Sequence, residues 1–169
     1  MVTVRPCEEQ DIALLQKHIP TPGQPARHAT RFERQQLGQS TFLIAWLDER
    51  PVGAGEIFWN GCAAPEINKH YPTCPELNGL DVWPPELRSH GIGTTLISFA
   101  ETLVCQRGHH QIGLGVEDGN TQAAALYLRL GYQETGLHYL DRYQYTDDDG
   151  NLYDIADPAR FLVKSLMLA

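Results

Sequence analysis

The sequence predicts a mixed α+β fold in one domain, on three observations. Strand-like and helix-like segments follow one another along the whole chain, one long amphipathic helix stands near its middle, and no repeat or low-complexity linker divides it. Its 169 residues suit a single domain, 1–169, with a sizeable core. The predicted order is β-α-α-β-β-β-α-β-α-β-β.

Val2-Thr3-Val4 alternates and predicts a short strand that Pro6 stops. Residues 8–19 place Ile12, Leu15 and Ile19 at spacings of three and four, the stripe of an amphipathic helix. Thr21-Pro22-Gly23-Gln24-Pro25 predicts a loop, and residues 27–37 a polar second helix ending near Gly38. Residues 41–47 and 52–60 predict a hairpin turned at Asp48-Glu49-Arg50. Residues 61–75 hold three prolines, two cysteines and little periodicity, and predict an inserted loop. Residues 76–82 predict a strand that Trp83-Pro84-Pro85 cuts off.

The strongest helix signal covers residues 91–107, where Ile92, Leu96, Phe99, Ala100 and Leu103 make one apolar face and Gly108 stands at the C-terminal cap. Residues 111–116 predict a short buried strand. Asn120 caps a helix running to Leu130, with Gly131 after it. A long strand at 132–145, a turn at Asp147-Asp148-Asp149-Gly150 and a closing strand at 160–168 complete the order.

Hydrophobic residues make up 42% and charged residues 20%, ordinary values for a soluble globular protein. No apolar run approaches the roughly 20 residues that span a bilayer, so no membrane partner is predicted. The opening MVTVRPCEEQD has neither a basic region nor a long apolar stretch, which predicts a cytoplasmic protein. A formal net charge of −8 without any Lys/Arg-rich run argues against a nucleic-acid partner. Cys7, Cys62, Cys74 and Cys105 form no Cys-x-x-Cys pair and predict free thiols. His109 and His110 are adjacent and would point to opposite faces of a strand. No metal is predicted.

The chemistry concentrates in the stretch from Leu80-Asp81-Val82 to Arg88-Ser89-His90-Gly91-Ile92-Gly93-Thr94. A strand ends, a short loop follows, and a helix starts at two glycines. A helix N-terminus presents unpaired N–H groups and roughly half a positive charge. Glycines there let a ligand approach the backbone, and Arg88 adds a positive charge, so the segment predicts an anion site suited to a diphosphate. It is not a P-loop, because no Gly-Lys-Ser/Thr follows. It is not a dinucleotide fingerprint, because Leu96 stands where the third glycine belongs. A glycine turn that only bends the chain is the plainer reading of the segment taken alone.

Arg88-x-x-Gly91-x-Gly93 after Leu80-x-Val82 resembles the acetyl-CoA motif of the GNAT family of N-acetyltransferases. Asn120, Ala123, Tyr127, Gly131 and Tyr132 stand at the spacing of that family's second segment, and the element order resembles the family along essentially the whole chain. The resemblance implies a central, strongly bent mixed sheet flanked by helices. In it the strands at 76–82 and 111–116 splay to admit the pantetheine arm of acetyl-CoA beside Leu80, Asp81 and Val82. It places the pyrophosphate on backbone groups from Ser89 to Thr94.

The resemblance also implies roles. Tyr127 stands where the family carries a tyrosine facing the leaving sulfur; its plainer reading is a core tyrosine beside Leu126 and Leu130. Glu76 starts its strand where many relatives carry a glutamate base, against the plainer reading of a solvated strand end. Glu56 and, more weakly, His138 are further base candidates. His90 and Asn120 join the donor-binding set, although a surface histidine and a helix cap explain them without a donor. The Asp147–Asp149 cluster is a solvated loop tip or a lure for a cationic acceptor. Leu114-Gly115-Val116-Glu117-Asp118 resembles a segment of protein N-terminal acetyltransferases, so the acceptor is a peptide N-terminus or a small-molecule amine. A homodimer is common among such proteins. Two other classes compete: a catalytically idle CoA-binding sensor, and a nucleotide-binding module for which no base or ribose site is visible.

Overall fold

In the computed structural model, residues 1–166 are described. In chain order the elements are β1 (Val2–Pro6), α1 (Asp11–His18), α2 (Arg27–Gln36), β2 (Ser40–Leu47), β3 (Arg50–Phe58), α3 (Pro65–Asn68), β4 (Glu76–Val82), α4 (Ile92–Gln106), β5 (Gln111–Glu117), α5 (Thr121–Arg129), β6 (Gln133–Thr146) and β7 (Leu152–Ser165), with a 3-10 turn at Pro85–Leu87. This is the predicted mixed α+β order, with one short helix added. The chain forms two compact units, each built from two segments.

The first unit takes Met1–Phe58 and Leu77–Leu103. Its strands run in the order β1-β2-β3-β4. β1 and β3 flank β2 antiparallel, and a bulge interrupts the β2–β3 register at Ala45/Trp46. β2 is buried from Ser40 to Trp46, which explains its nearly continuous apolar run: a strand covered on both faces has no solvent side to leave polar. Leu15 and Ile19 pack with Cys7, Phe42, Ile44, Trp46 and Ala54, and Ile12 lies against the same cluster. The predicted stripe of α1 is therefore its core face, each such side chain contributing about 1.5–3 kcal/mol by burial.

The second unit takes Trp59–Glu76 and the chain from Val104 onward. Its strands run β5-β7-β6, both pairs antiparallel. The hairpin turn is tied by Asp147, whose carboxylate accepts from the N–H groups of Asp149 (3.0 Å) and Asn151 (2.8 Å) and from the Tyr153 hydroxyl (3.1 Å). Those bonds, the Asn151 amide first among them, hold the Asp147 carboxyl below the usual range. The loop-tip reading of this cluster accounts for Asp147 fully.

Two sequence expectations need correction. Residues 61–75 are not structureless: α3 lies among them, and its Ile67 is buried with Cys62 and Phe161. A helix of four residues is too short to show periodicity. β7 begins at Leu152, not at residue 160. Residues 152–159 carry Asp154, Asp157 and Pro158 and are largely exposed, because β6 pairs with β7 from Leu152 whereas β5 joins only at Ala159. Pro158 is tolerated on that one-sided stretch, where its missing N–H interrupts no β5 bond. The predicted end of this strand at 168 lies outside the described residues.

Candidate active site

The segment that the sequence predicts for the donor belongs to the first unit. β4 ends at Val82, the 3-10 turn follows, and Ser89 and Gly91 take positive φ values of 65° and 86° before α4 starts at Ile92. Ile92 anchors the helix start: an added Cβ on Gly53 of β3 would meet Ile92 Cγ2 and Leu96 Cδ1 at 3.1 Å each. On the other side the segment is open. A Cβ built on Gly91 or Gly93 meets nothing within 4 Å. Thr95 is the first to bond back, its N–H (3.0 Å) and hydroxyl (2.9 Å) both donating to the Gly91 carbonyl. The N–H groups of Ile92, Gly93 and Thr94 precede that first bond, the usual vacancy of a helix N-terminus.

Ser89 and His90 are exposed here. Arg88 is exposed too, and its Nε donates to the Val82 carbonyl at 3.3 Å, which ties the loop to the strand end. Thus Leu80, Asp81 and Val82 and the residues from Arg88 to Thr94 form one continuous strand–loop–helix surface. Leu80 covers Gly55 of β3, where a Cβ would meet Leu80 Cδ2 at 3.1 Å. Asp81 instead faces a cavity between the 20–24 segment and α2.

Glu56, a base candidate in the sequence, lies on β3 of the first unit. It is 1% exposed. Arg34 grips both its oxygens at 2.8 Å, and Arg31 approaches at 3.4 Å. Arg31 also donates to the Gly79 carbonyl at 2.9 Å. A buried carboxylate held by two guanidiniums is a structural tie. Burial, with Arg27 adding to it, lowers the Arg31 guanidinium to about 9.

Glu76, Asn120 and Tyr127 belong to the second unit. Asn120 is committed as the cap of α5, its Oδ1 accepting from the Ala123 N–H at 3.1 Å. The Tyr127 ring meets buried Tyr132 edge-on at 6.3 Å. Its hydroxyl makes no hydrogen bond among the described residues, and burial raises its pKa. It is therefore a protonated donor with no acceptor among the described residues. Glu76 is buried, and the Cys62 thiol hydrogen-bonds it. Burial, then Glu76, pushes the Cys62 thiol up, so it stays protonated. The same two causes push up Tyr139. His138 is exposed on β6 opposite Arg160.

Sequence reasoning missed an acidic and phenolic cluster in the second unit, which meets Glu76 through Tyr139. Tyr139, Asp141 and Tyr143 alternate along β6, and Asp157 faces Asp141 across the hairpin. Tyr143 donates to Asp157 at 2.8 Å, a bond that raises it to about 12. Glu117, at the end of β5, is raised by burial and by Asp157 and Asp141. The period-two spacing of Tyr139, Asp141 and Tyr143 was the available signal. Among the described residues no cluster suits a metal ion.

Comparison with known proteins bears on this geometry. Residues 11–132 match the family model described as the acetyltransferase (GNAT) family. A mycothiol acetyltransferase from Clavibacter sepedonicus is 34% identical over 53 residues, which are 31% of this chain and 17% of that relative, so the match spans only a small part of that protein's length. The ribosomal-protein-S18-alanine N-acetyltransferase of Escherichia coli shares the fold with a TM-score of 0.66 at 18% identity, over 100% of this chain and 96% of its own. The structure of AAC(6')-Ib with ribostamycin and coenzyme A gives a TM-score of 0.68 at 20% identity, over 97% and 93%. The matched segment contains the strand–loop–helix surface, the cap Asn120 and Tyr127: the chain belongs to the acetyltransferase (GNAT) family.

Proposed function

We propose that the protein transfers an acetyl group from acetyl-CoA to a primary amine of a small molecule or peptide N-terminus, by direct attack of the amine on the thioester. The observation that carries this reading is the open backbone at Gly91 and Gly93. A glycine that no protein atom crowds leaves room for a ligand, and here two of them flank unpaired N–H groups at the start of a 15-residue helix. Leu80, Asp81 and Val82 supply strand-end backbone for the pantetheine arm. Ser89, His90, Ile92 and Thr94, with Arg88, complete the polyanion's surroundings. Asn120 contributes by starting α5, which carries Tyr127.

The reaction has two proton problems. An amine of pKa near 10.4 is neutral in about one molecule in 2,500 at pH 7, a cost of about 4.6 kcal/mol. Glu76 is the carboxylate assigned to receive that proton, directly or through water. The leaving thiolate is easier, its thiol having a pKa of about 8.5. Because burial raises Tyr127 further above that value, Tyr127 stabilises the sulfur by donating a hydrogen bond and keeps its proton.

An acetylation assay over a panel of amines, following CoA release, tests the activity; no release with any acceptor overturns it. Donor binding is tested separately. Acetyl-CoA at about 100 times its Kd should add about 2.7 kcal/mol to stability. Gly93→Ala should separate fold from binding. Gly93 has no positive φ, so alanine is unstrained there and should raise the ligand-free stability by about 0.5–1 kcal/mol. The new methyl group would stand where phosphate meets backbone, so the melting shift from acetyl-CoA should shrink. A shift equal to wild type would place the donor elsewhere. Gly91→Val is a less clean probe, because φ of 86° is strained for valine without any ligand.

A further inference from the structure

The first unit contains a cavity of about 70 Å3, lined by Ile19, Thr21, Arg27, His28, Arg31 and Asp81 among others. Three features make it a site and not a packing gap. First, Arg27 and Arg31 both line it, and their guanidiniums converge beside Gly79. A Cβ on Gly79 of β4 would fall 1.9 Å from Arg31 Nη2 and 2.5 Å from Arg27 Nη2, so only glycine leaves both in place. Secondly, charge is unbalanced. The groups acting on Arg31 are Arg27 and Arg34 on one side and Glu56 and Asp81 on the other, three guanidiniums against two carboxylates. Arg34 and Arg31 share Glu56, whereas among the described residues Arg27 donates to the neutral Gln24 side chain alone, at 3.1 Å.

Thirdly, a buried polar atom is left over. His28 is 3% exposed, and its Nε2 lies 2.8 Å from the Ile19 carbonyl. That carbonyl can only accept, so Nε2 is the donor. Burial lowers the ring's pKa, which leaves Nδ1 as an acceptor. Nδ1 has no hydrogen-bond partner among the described residues. Buried polar groups are nearly always paired, and an orphan in a cavity wall points to a ligand that supplies the missing donor. The cavity thus asks for an anion and, beside it, an N–H or O–H group.

We propose that this cavity binds the carboxylate of the acceptor, which is therefore an amino acid or a short peptide and not a simple amine. The proposal rests on the acetyl-transfer reading above. A carboxylate suits paired guanidiniums by geometry as well as charge, and a peptide or amino acid carries an N–H next to it. Asp81, the carboxylate on the wall, disfavours a ligand with several negative charges and suits a zwitterion.

Two arms test this. In the first, matched acceptors that differ only as free acid or terminal amide are compared by CoA release. The acid should be favoured by about 10- to 100-fold in kcat/KM, the worth of hydrogen bonds to a charged group. Arg27→Gln should collapse that ratio toward one, and Arg27→Lys should restore part of it. Equal use of acid and amide by the wild type overturns the proposal. The second arm needs no catalysis: thermal melts with N-acetylglycine against N-acetylglycinamide, at constant ionic strength. The acid should raise Tm in the wild type but not in Arg27→Gln, and the amide should not. No shift, or an equal shift in Arg27→Gln, overturns the site even where amines are acetylated. A shift from the acid alone, without preference for acid acceptors, makes the cavity a site for a free anion and also overturns the proposal. If no acceptor releases CoA, the transfer reading fails and this proposal with it; the melts then report the cavity alone.

Discussion

Glu56→Gln is expected to remove about 3 to 5 kcal/mol of folding stability, the usual consequence of leaving a buried charge without its partner. The substitution keeps the shape of the side chain and deletes its charge. Arg31, 2% exposed, would then face Arg27 and Arg34 without the carboxylate's charge, and Arg34 would keep an acceptor for only one of its two hydrogen bonds, because the amide NH2 can only donate. In a chain of this length about 1 kcal/mol corresponds to about 2–4 °C, so Tm should fall by roughly 6 to 20 °C. Denaturant melts of both proteins measure it. A loss below about 1 kcal/mol would show that the guanidiniums are hydrated and that the tie is weak. Loss of turnover in a variant with wild-type stability would return Glu56 to the list of candidate bases.

Tyr127→Phe should lower kcat by about 100-fold, the lower end of the range for a positioned proton donor. The ring and its edge-on contact with Tyr132 remain, and only the hydroxyl is lost. Because that hydroxyl has no partner among the described residues, its removal leaves no protein group unsatisfied, and stability should hardly change. Affinity for acetyl-CoA should also be preserved, since the contact strengthens only as charge develops on sulfur. The effect belongs at the lower end because a thiolate already leaves fairly well and burial makes tyrosine a weaker acid. A kcat within about twofold of wild type, on any acceptor that the panel reveals, would return Tyr127 to a packing role.

Much of the fold was legible because local patterns report local structure. Spacings of three and four mark faces turned to the core: Leu15, Ile19, Ile92, Leu96 and Ala100 are buried, and Ile12, Phe99 and Leu103 of the same predicted faces are partly buried. Gly108 and Gly131 end helices with φ of 85° and 97°, as residues past a C-terminus do. The two glycines at the start of α4 were legible as a candidate anion site, since that chemistry is carried by the backbone. The family resemblance then named the ligand.

What periodicity could not show is which distant groups meet. Arg34 and Glu56 pair across 22 residues, and Arg31 reaches Gly79 across 48. Nothing local distinguishes these arginines from others on a polar helix; their partners are chosen when burial makes an unpaired charge too costly. Likewise α3 is held by Ile67 in a cluster with Phe161, not by any propensity of its own four residues. Gly113 and Gly115 lie on β5, in the predicted buried strand. In the fold, a Cβ on Gly113 would sit 2.3 Å from Phe161 Cζ, and one on Gly115 would sit 1.7 Å from the Tyr139 hydroxyl. Their missing side chains are the space that two aromatic rings occupy, one from the adjacent strand β7 and one from β6 beyond it. A residue's own pattern states the face it presents, whereas close packing in three dimensions decides what fills the space in front of it.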